Sequence, residues 1–463
     1  MSLIKSISGI RGTIGGKSGE NLTPIDIVNF TTAYSIFLSE RLAKKKLKIV
    51  VGRDARVSGS MVNNLVCATL QSTGADVVDL GLSTTPTVEM AVTKLQADGG
   101  IIITASHNPM EWNALKLLNE YGEFISAQEG AQLLELVNKG NFIYAPVKQL
   151  GSYSQYNNAI ADHVDAILKL NLVDLQAISE AHFKVALDAV NSTGGIAISL
   201  LLEKLGVQNV TILNGEPTGI FPHNPEPLPE HLHEISNLLA AQNFDVGFVV
   251  DPDVDRLAII TENGEMFGEE YTLVAVADYV LQYQKGNTVS NLSSSRALRD
   301  VSSKYKVDYF ASAVGEVNVI EKMKEHHAVI GGEGNGGVIY PTLHYGRDAL
   351  VGIALFLSFM AKTKKTCSEI KRLYPAYYIS KNKISLPPEI DVKAILNHLK
   401  NKYADYKVTT IDGVKIDFED SWLHIRSSNT EPIIRIYAEA TTEPTSQFLT
   451  DKIITDIREF INL

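Results

Sequence analysis

The stretch Lys48–Arg56, KIVVGRDAR, is a β-branched run that ends in glycine and polar residues, and what surrounds it decides the fold. A helical stretch follows it, then Gly74 and a second apolar run, ADVVDLG, which together make a βαβ unit. The same order recurs at Lys184–Gly195, KVALDAVNSTGG, where a strand ends at Asp188, a helix rich in Ile and Leu follows, and Gly206 precedes VQNVTIL. A weaker third copy starts at NTVSNLSSSRAL, runs through a helix and reaches VDYFASAVGE. Strands that alternate with helices build parallel-rich sheets covered by helices. Three α/β units of related topology are therefore expected. After about Pro375 the texture changes to alternating runs, KVTTIDGVKIDFEDSWLHIRSS and IIRIYAEA, closed by a helix from about Thr445, which reads as a separate α+β domain. The expected divisions are 1–152, 153–255, 256–371 and 372–463, with the four domains packed around a shared cleft.

Bulk properties agree with several cores. The chain has 463 residues, 45% of them apolar and 21% charged, whereas a single core stops growing at roughly 250–300 residues. A net charge of -11 with a pI near 5.5 argues against nucleic acid or anionic lipid as a partner, so any phosphate site is local. Cys67 and Cys367 are far apart and form no Cys/His cluster, which argues against a disulfide framework or structural zinc and fits a reducing cytoplasm. The opening residues, MSLIKSISGIRG, lack the apolar run of a signal peptide. Ala349 to Ala361 falls short of the roughly 20 residues that span a bilayer and reads as a buried helix with Asp348 as N-cap. No heptad or obvious interface stripe is present, so the choice between a monomer and a homodimer stays open.

Four segments place polar groups where a strand ends and the chain turns. In IIITASHNPMEWNALK, the strand Ile101–Ile103 runs into Ser106, whose hydroxyl would sit at a carboxyl strand end, where α/β proteins bind ligands. His107 and Lys116 are candidate proton carriers or phosphate clamps there, although a plain turn before Pro109 explains an isolated SHNP as well. In VGFVVDPDVDRL, Asp251, Asp253 and Asp255 alternate before Arg256; three carboxylates this close repel one another unless a cation sits among them, and oxygen ligands suit Mg²⁺. In VIGGEGNGGVIYP, glycines surround Glu333 and Asn335, a carboxylate and an amide that suit sugar hydroxyls. In HIRSSNTEPIIRIYAE, Arg426, Ser428, Asn429, Thr430 and Arg435 gather guanidinium and hydroxyl groups fit to cradle a phosphate. His231 with His233, and His326 with His327, receive no role.

In this order, with GIRGT near the start, the motifs resemble the α-D-phosphohexomutase family over nearly the whole chain. The resemblance implies that Ser106 is phosphorylated in the resting enzyme and that Asp251, Asp253 and Asp255 hold Mg²⁺ with the phosphoserine. It further implies that Glu333 and Asn335 contact the sugar and that Arg426, Ser428, Asn429, Thr430 and Arg435 hold the non-reacting phosphate. Arg11, His107, Lys116 and Arg256 would support the transferring group. The implied activity interconverts hexose 6-phosphate and hexose 1-phosphate through a bisphosphorylated intermediate, with hexose 1,6-bisphosphate as activator and a small sugar phosphate as partner.

Departures from the commonest family pattern lie in loops: Pro252 and Val254 where glycine is frequent, Ala114 likewise, and Asn335-Gly336-Gly337 where many members carry Ser-Gly-His. The last resembles archaeal-type phosphoglucosamine mutases and points to glucosamine phosphate, with glucose and mannose phosphates as the alternative. A phosphatase of the haloacid dehalogenase kind would need its DxD near the N-terminus and a Thr or Ser where Asp255 stands. A non-catalytic sugar-phosphate sensor would have lost the serine or the aspartates, and all four are present.

Overall fold

A computed structural model describes residues 2–6, 9–386, 390–427 and 433–461. The first sheet has seven strands: β1 (Ile4–Ser6), β2 (Gly9–Thr13), β3 (Lys48–Arg53), β4 (Asp76–Leu82), β5 (Gly99–Ile103), β6 (Trp112–Leu118) and β7 (Tyr153–Gln155), in the order β1-β2-β6-β5-β3-β4-β7. KIVVGR is its central strand β3, parallel to β4 and β5, with Ile49, Val50 and Val51 all 0% exposed because helices cover both faces.

The second sheet, β8 (Lys184–Asp188), β9 (Asn209–Leu213), β10 (Val246–Val250) and β11 (Leu257–Thr261), has the order β11-β10-β8-β9. The third, β12 (Thr288–Asn291), β13 (Tyr309–Ser312), β14 (Ile330–Glu333) and β15 (Gly337–Ile339), has the order β13-β12-β14-β15. In each unit the first strand lies between the second and the third, both parallel to it, and an antiparallel strand returns from the third. β3, β4, β5 and β6 repeat this pattern inside the first sheet. The three α/β units are thus copies of one topology. The fourth sheet is antiparallel: β16 (Tyr378–Ser385), β17 (Lys407–Thr409), β18 (Val414–Asp417), β19 (Trp422–Ser427) and β20 (Ile433–Ala440), in the order β16-β20-β19-β18-β17, backed by the helix Glu443–Ile461.

Two expected divisions fall inside sheets. β7 pairs with β4, so the first unit extends past 152. β11 pairs with β10, so the second extends past 255. The polar loop after β10 looks like a boundary in sequence, yet its carboxylates occupy the turn of a hairpin whose apolar return strand completes the same sheet.

The apolar stretch after Asp348 forms the helix Ala349–Thr363, buried from Ala349 to Met360. Asp348 caps it, its Oδ1 accepting from the backbone N–H of Leu350 and Val351 at 2.8 and 3.3 Å. This helix joins the largest apolar cluster, shared by the second and third units. Among the described residues no helix is long and apolar enough to cross a membrane.

Candidate active site

The repeated topology explains why the motifs converge. Ser106, the aspartates and Glu333 all sit at or just beyond the carboxyl end of the third strand of a unit, where the chain turns into the antiparallel return strand. A cleft of about 470 Å³ opens between these turns, and Arg11, Ser106, Lys116, Glu333, Arg347 and Arg426 reach its wall from three of the four domains.

Ser106 is held in a left-handed conformation, φ 49, and is 9% exposed. A non-glycine residue persists there only when its surroundings over-determine it. The backbone N–H of Ser106 donates to Thr104 Oγ1 at 2.9 Å, and Thr104 donates to Asp54 Oδ2 at 2.7 Å. Arg56, 0% exposed, supplies the rest of the restraint. Its Nε donates to Asp54 Oδ2 at 3.0 Å, one terminal nitrogen to the carbonyls of Pro109 (2.6 Å) and Trp112 (3.0 Å), and the other to those of Ser106 (2.5 Å) and Asn108 (2.6 Å). A guanidinium has five N–H donors, and all five are spent here, four of them on the carbonyls of the serine turn. Asp54 and Arg56 were overlooked in the sequence, although GRDAR, like the other motifs, lies at the carboxyl end of a strand, here the first of its unit.

The hydroxyl of Ser106 donates to Oδ2 of Asp251 at 2.8 Å, joining the first unit to the second. Asp251, Asp253 and Asp255 are each 0% exposed and can bring one oxygen apiece within 4.8 Å of the others. Asp251 Oδ1 accepts from the backbone N–H of Asp255 and of Arg256, each at 3.2 Å. Asp253 Oδ2 accepts from Thr85 at 2.6 Å and from Lys116 Nζ at 2.7 Å, and Lys116 lies 3.6 Å from Asp255. Oδ1 of Asp253 and Oδ1 of Asp255 are buried without a partner among the described residues. Burial, then Asp255 and Asp253, pushes the Asp251 carboxyl well above its ordinary range. Orphaned carboxylate oxygens and mutual repulsion fit an oxygen-loving dication among the three. Val254, between two of these aspartates, takes φ 63, a left-handed conformation that favours glycine.

Arg347 ties this loop to the glycine-rich loop of Glu333. Its terminal nitrogens donate to Asp255 Oδ2 (2.6 Å) and Glu333 Oε2 (2.8 Å), and its Nε donates to Glu316 Oε2 (3.1 Å). Glu333 also accepts from Asn291 at 2.8 Å and from the backbone N–H of Gly315 at 3.0 Å. Asn335 is not on the cleft wall, and its Oδ1 accepts from the backbone N–H of Gly337 at 3.3 Å. Arg347 and Glu316 carried no signal in the sequence, because the acidic partners of Arg347 lie 92, 31 and 14 positions away.

The remaining cations form a group of their own. Burial, then Arg435 and Arg256, lowers Arg11 below its ordinary value. Arg426 and Arg435 are paired across β19 and β20. Nε of Arg11, of Arg256 and of Arg426 is buried without an acceptor among the described residues. Guanidinium groups that repel one another and keep free donors are a standing demand for an anion. Burial, then Arg256, holds the His107 imidazole well below its ordinary value, and its Nδ1 lies 3.4 Å from Ser106 Oγ. Glu226, passed over in the sequence, lies 3.8 Å from His107 and 3.4 Å from Arg256. Ser428, Asn429 and Thr430 lie outside the described residues.

The chain matches the four domain models of phosphoglucomutase/phosphomannomutase in order: α/β/α domain I over residues 3–143, domain II over 161–264, domain III over 268–377 and the C-terminal domain over 383–455. A phosphoglucomutase/phosphomannomutase of Thermococcus kodakarensis is 36% identical over 438 residues, covering 93% of this chain and 94% of that one. A phosphoglucosamine/phosphogalactosamine mutase of Sulfurisphaera tokodaii is 32% identical over 460 residues, 98% of each. The crystal structure of a phosphoglucomutase/phosphomannomutase family protein from Burkholderia thailandensis superposes with a TM-score of 0.83 at 24% identity, covering 98% of this chain and 97% of that one, and shares the fold. Four matched domains and full-length relatives, on a site that sets a serine against three carboxylates and a ring of arginines, place the chain in the phosphoglucomutase/phosphomannomutase family, among the α-D-phosphohexomutases, as a hexose phosphate mutase.

Proposed function

We propose that the chain interconverts glucosamine 6-phosphate and glucosamine 1-phosphate through a phosphorylated Ser106. The observation that carries the reading is the 2.8 Å hydrogen bond from the Ser106 hydroxyl to Asp251, at the meeting of two units and beside two orphaned carboxylate oxygens. Asp251, Asp253 and Asp255 would hold Mg²⁺, which when bound neutralises charge on the transferring phosphoryl group.

The chain's own residues supply the rest. Asp54 and Arg56 fix the serine turn so that Oγ faces the acceptor. Against the desolvation of burial, Asp253 and Asp255 raise Lys116 above its ordinary value, so a permanent ammonium faces the phosphoryl oxygens. His107 stays neutral, so its Nδ1, 3.4 Å from Ser106 Oγ, can accept the proton of the attacking sugar hydroxyl. The bond from Ser106 Oγ to phosphorus breaks as the bond from the sugar oxygen forms, giving a hexose 1,6-bisphosphate. After the sugar turns, its other phosphoryl group returns to Ser106. Glu333 would accept from sugar hydroxyls, with Asn335 in the same loop. Arg426 and Arg435, with Ser428, Asn429 and Thr430, would hold the idle phosphate in either pose. A hexose 1,6-bisphosphate would then prime an enzyme that has lost its phosphoserine.

Glucose and mannose phosphates are the second reading, favoured by the 36% identical relative named for those substrates. A coupled steady-state assay with Mg²⁺ and a trace of hexose bisphosphate, comparing the 6-phosphates of glucosamine, glucose and mannose, separates the two by kcat/KM. The expected result is a preference for glucosamine 6-phosphate, lost in Ser106→Ala together with the mass increment of one phosphate. A preference for glucose or mannose phosphate would move the substrate, and undiminished turnover by Ser106→Ala would overturn the phosphoserine.

A further inference from the structure

A second group of metal-ligating side chains lies away from the aspartate triad, where three domains meet. His163 comes from the helix Ala159–Leu168, and His344 and Asp348 from the segment leading into the helix Ala349–Thr363. Nε2 of His163 lies 2.9 Å and Nε2 of His344 3.3 Å from the same oxygen, Oδ2 of Asp348, and the three donor atoms all fall within 4.8 Å of one another. His163 is 1% and Asp348 0% exposed, and the two imidazole rings stand at 89° to each other. A tetrahedral zinc ion with ligands at roughly 2.0–2.1 Å separates neighbouring donors by roughly 3.3 Å. The separations of the two imidazole nitrogens from Asp348 Oδ2, 2.9 and 3.3 Å, are close to what such an ion requires.

The outer contacts are those of a built site. Nδ1 of His163 is 2.9 Å from Thr87 Oγ1, an acceptor that would fix the proton on Nδ1 and leave the Nε2 lone pair facing the other donors. Nδ1 of His344 is 3.4 Å from Oε2 of Glu89, which is 2% exposed. Neither atom has a hydrogen-bond partner among the described residues. An unpartnered buried carboxylate aimed at the far nitrogen of a candidate ligand is the usual companion of a metal-bound imidazole. Asp348 is held in place independently, because its Oδ1 caps the following helix. Two imidazole nitrogens with one carboxylate favour zinc over the magnesium that suits the all-oxygen triad.

We propose that His163, His344 and Asp348 bind one zinc ion, oriented by Thr87 and Glu89, as a rivet between the first three domains. The cysteine spacing gave no sign of such a site because none of its ligands is a cysteine. Its place is consequential, since Arg347, which joins Asp255 to Glu333, directly precedes Asp348. The rivet would hold the segment that carries Arg347 and leave the chemistry to the triad.

The test begins with full-length protein stripped by a chelator, loaded with one equivalent of ZnCl2 in excess MgCl2 and passed through a desalting column. Wild type is expected to retain one zinc per chain and to show a higher Tm than the stripped protein, whereas His344→Asn and His163→Asn lose both effects. Crystals of the loaded wild type, measured at the zinc absorption edge, give a second readout independent of whether the variants fold. An anomalous peak between His163, His344 and Asp348 is the expected result. No retained zinc, a peak at the aspartate triad alone, or undiminished retention by His344→Asn would overturn the proposal and leave the two imidazoles as hydrogen-bond donors to Asp348.

Discussion

Replacing Arg56 by Lys tests whether one buried guanidinium sets the turn that carries Ser106. Lysine keeps the charge and offers three donors from a single point, against five in a rigid fork. Arg56 satisfies five contacts, on Asp54 and on the carbonyls of Pro109, Trp112, Ser106 and Asn108. Asp54 Oδ2 and the Pro109 carbonyl keep other donors, Thr104 and the backbone N–H of Trp112. The carbonyls of Trp112, Ser106 and Asn108 are served by two separate guanidinium nitrogens, so at least one of them loses its donor in a region that is 0% exposed at Arg56. An unsatisfied buried acceptor costs about 1–3 kcal/mol, so the variant loses at least that much, or at least about 2 °C in the Tm of the first unit at 2–4 °C per kcal/mol. The turn that holds Ser106 at φ 49 then relaxes, and a displacement of about 1 Å at a reacting group can cost about a hundredfold in rate. Differential scanning calorimetry and the coupled mutase assay read the two effects. If Arg56→Lys keeps wild-type Tm and kcat/KM, the serine turn does not depend on the guanidinium and the reasoning fails.

Arg347→Met leaves Asp255, Glu316 and Glu333 without their shared cation, and breaking a buried pair in this way costs about 3–5 kcal/mol. A lowered Tm and a fall in kcat/KM of at least about tenfold are expected, with Arg347→Lys between the two, and an unchanged kcat/KM would show that the Glu333 loop is held by other means. His424, 1% exposed, accepts from Ser293 Oγ at 2.9 Å and donates to the carbonyl of Asp412 at 2.7 Å, and burial pushes its imidazole from 6.5 down to about 4. Between those values the unfolded chain binds a proton that the folded one does not, so this group lowers stability as pH falls from about 6.5 to about 4. Tm measured against pH should therefore fall less steeply through that window in His424→Gln, and an identical slope would exclude the titration of His424 as its cause.

The chain's local patterns were sufficient for the repeated units and for the places where chemistry gathers. Strand periodicity and the polar residues that end each strand are properties of neighbours in sequence, so KIVVGR, VGFVV and IIITASHNP declared both the sheet and the turn that follows it. The buried helix after Asp348 was legible for the same reason, since an apolar run and its cap are contiguous. The divisions at 152 and 255 were misplaced because strand pairing is not local: β7 and β11 join sheets whose other strands come earlier in the chain. Side chains that act by bridging distant segments escaped altogether. Arg56 reaches 50 to 56 positions forward to the serine turn, Arg347 reaches 92 positions back to Asp255, and His163 meets Asp348 across 185 positions. The motifs offered the residue types that phosphoryl transfer requires; only the packing of the four domains against one another decided which charges are buried, which are neutralised by a partner and which are left waiting for a ligand. Burial and distance set the strength of every such interaction, and neither is a property of the sequence alone.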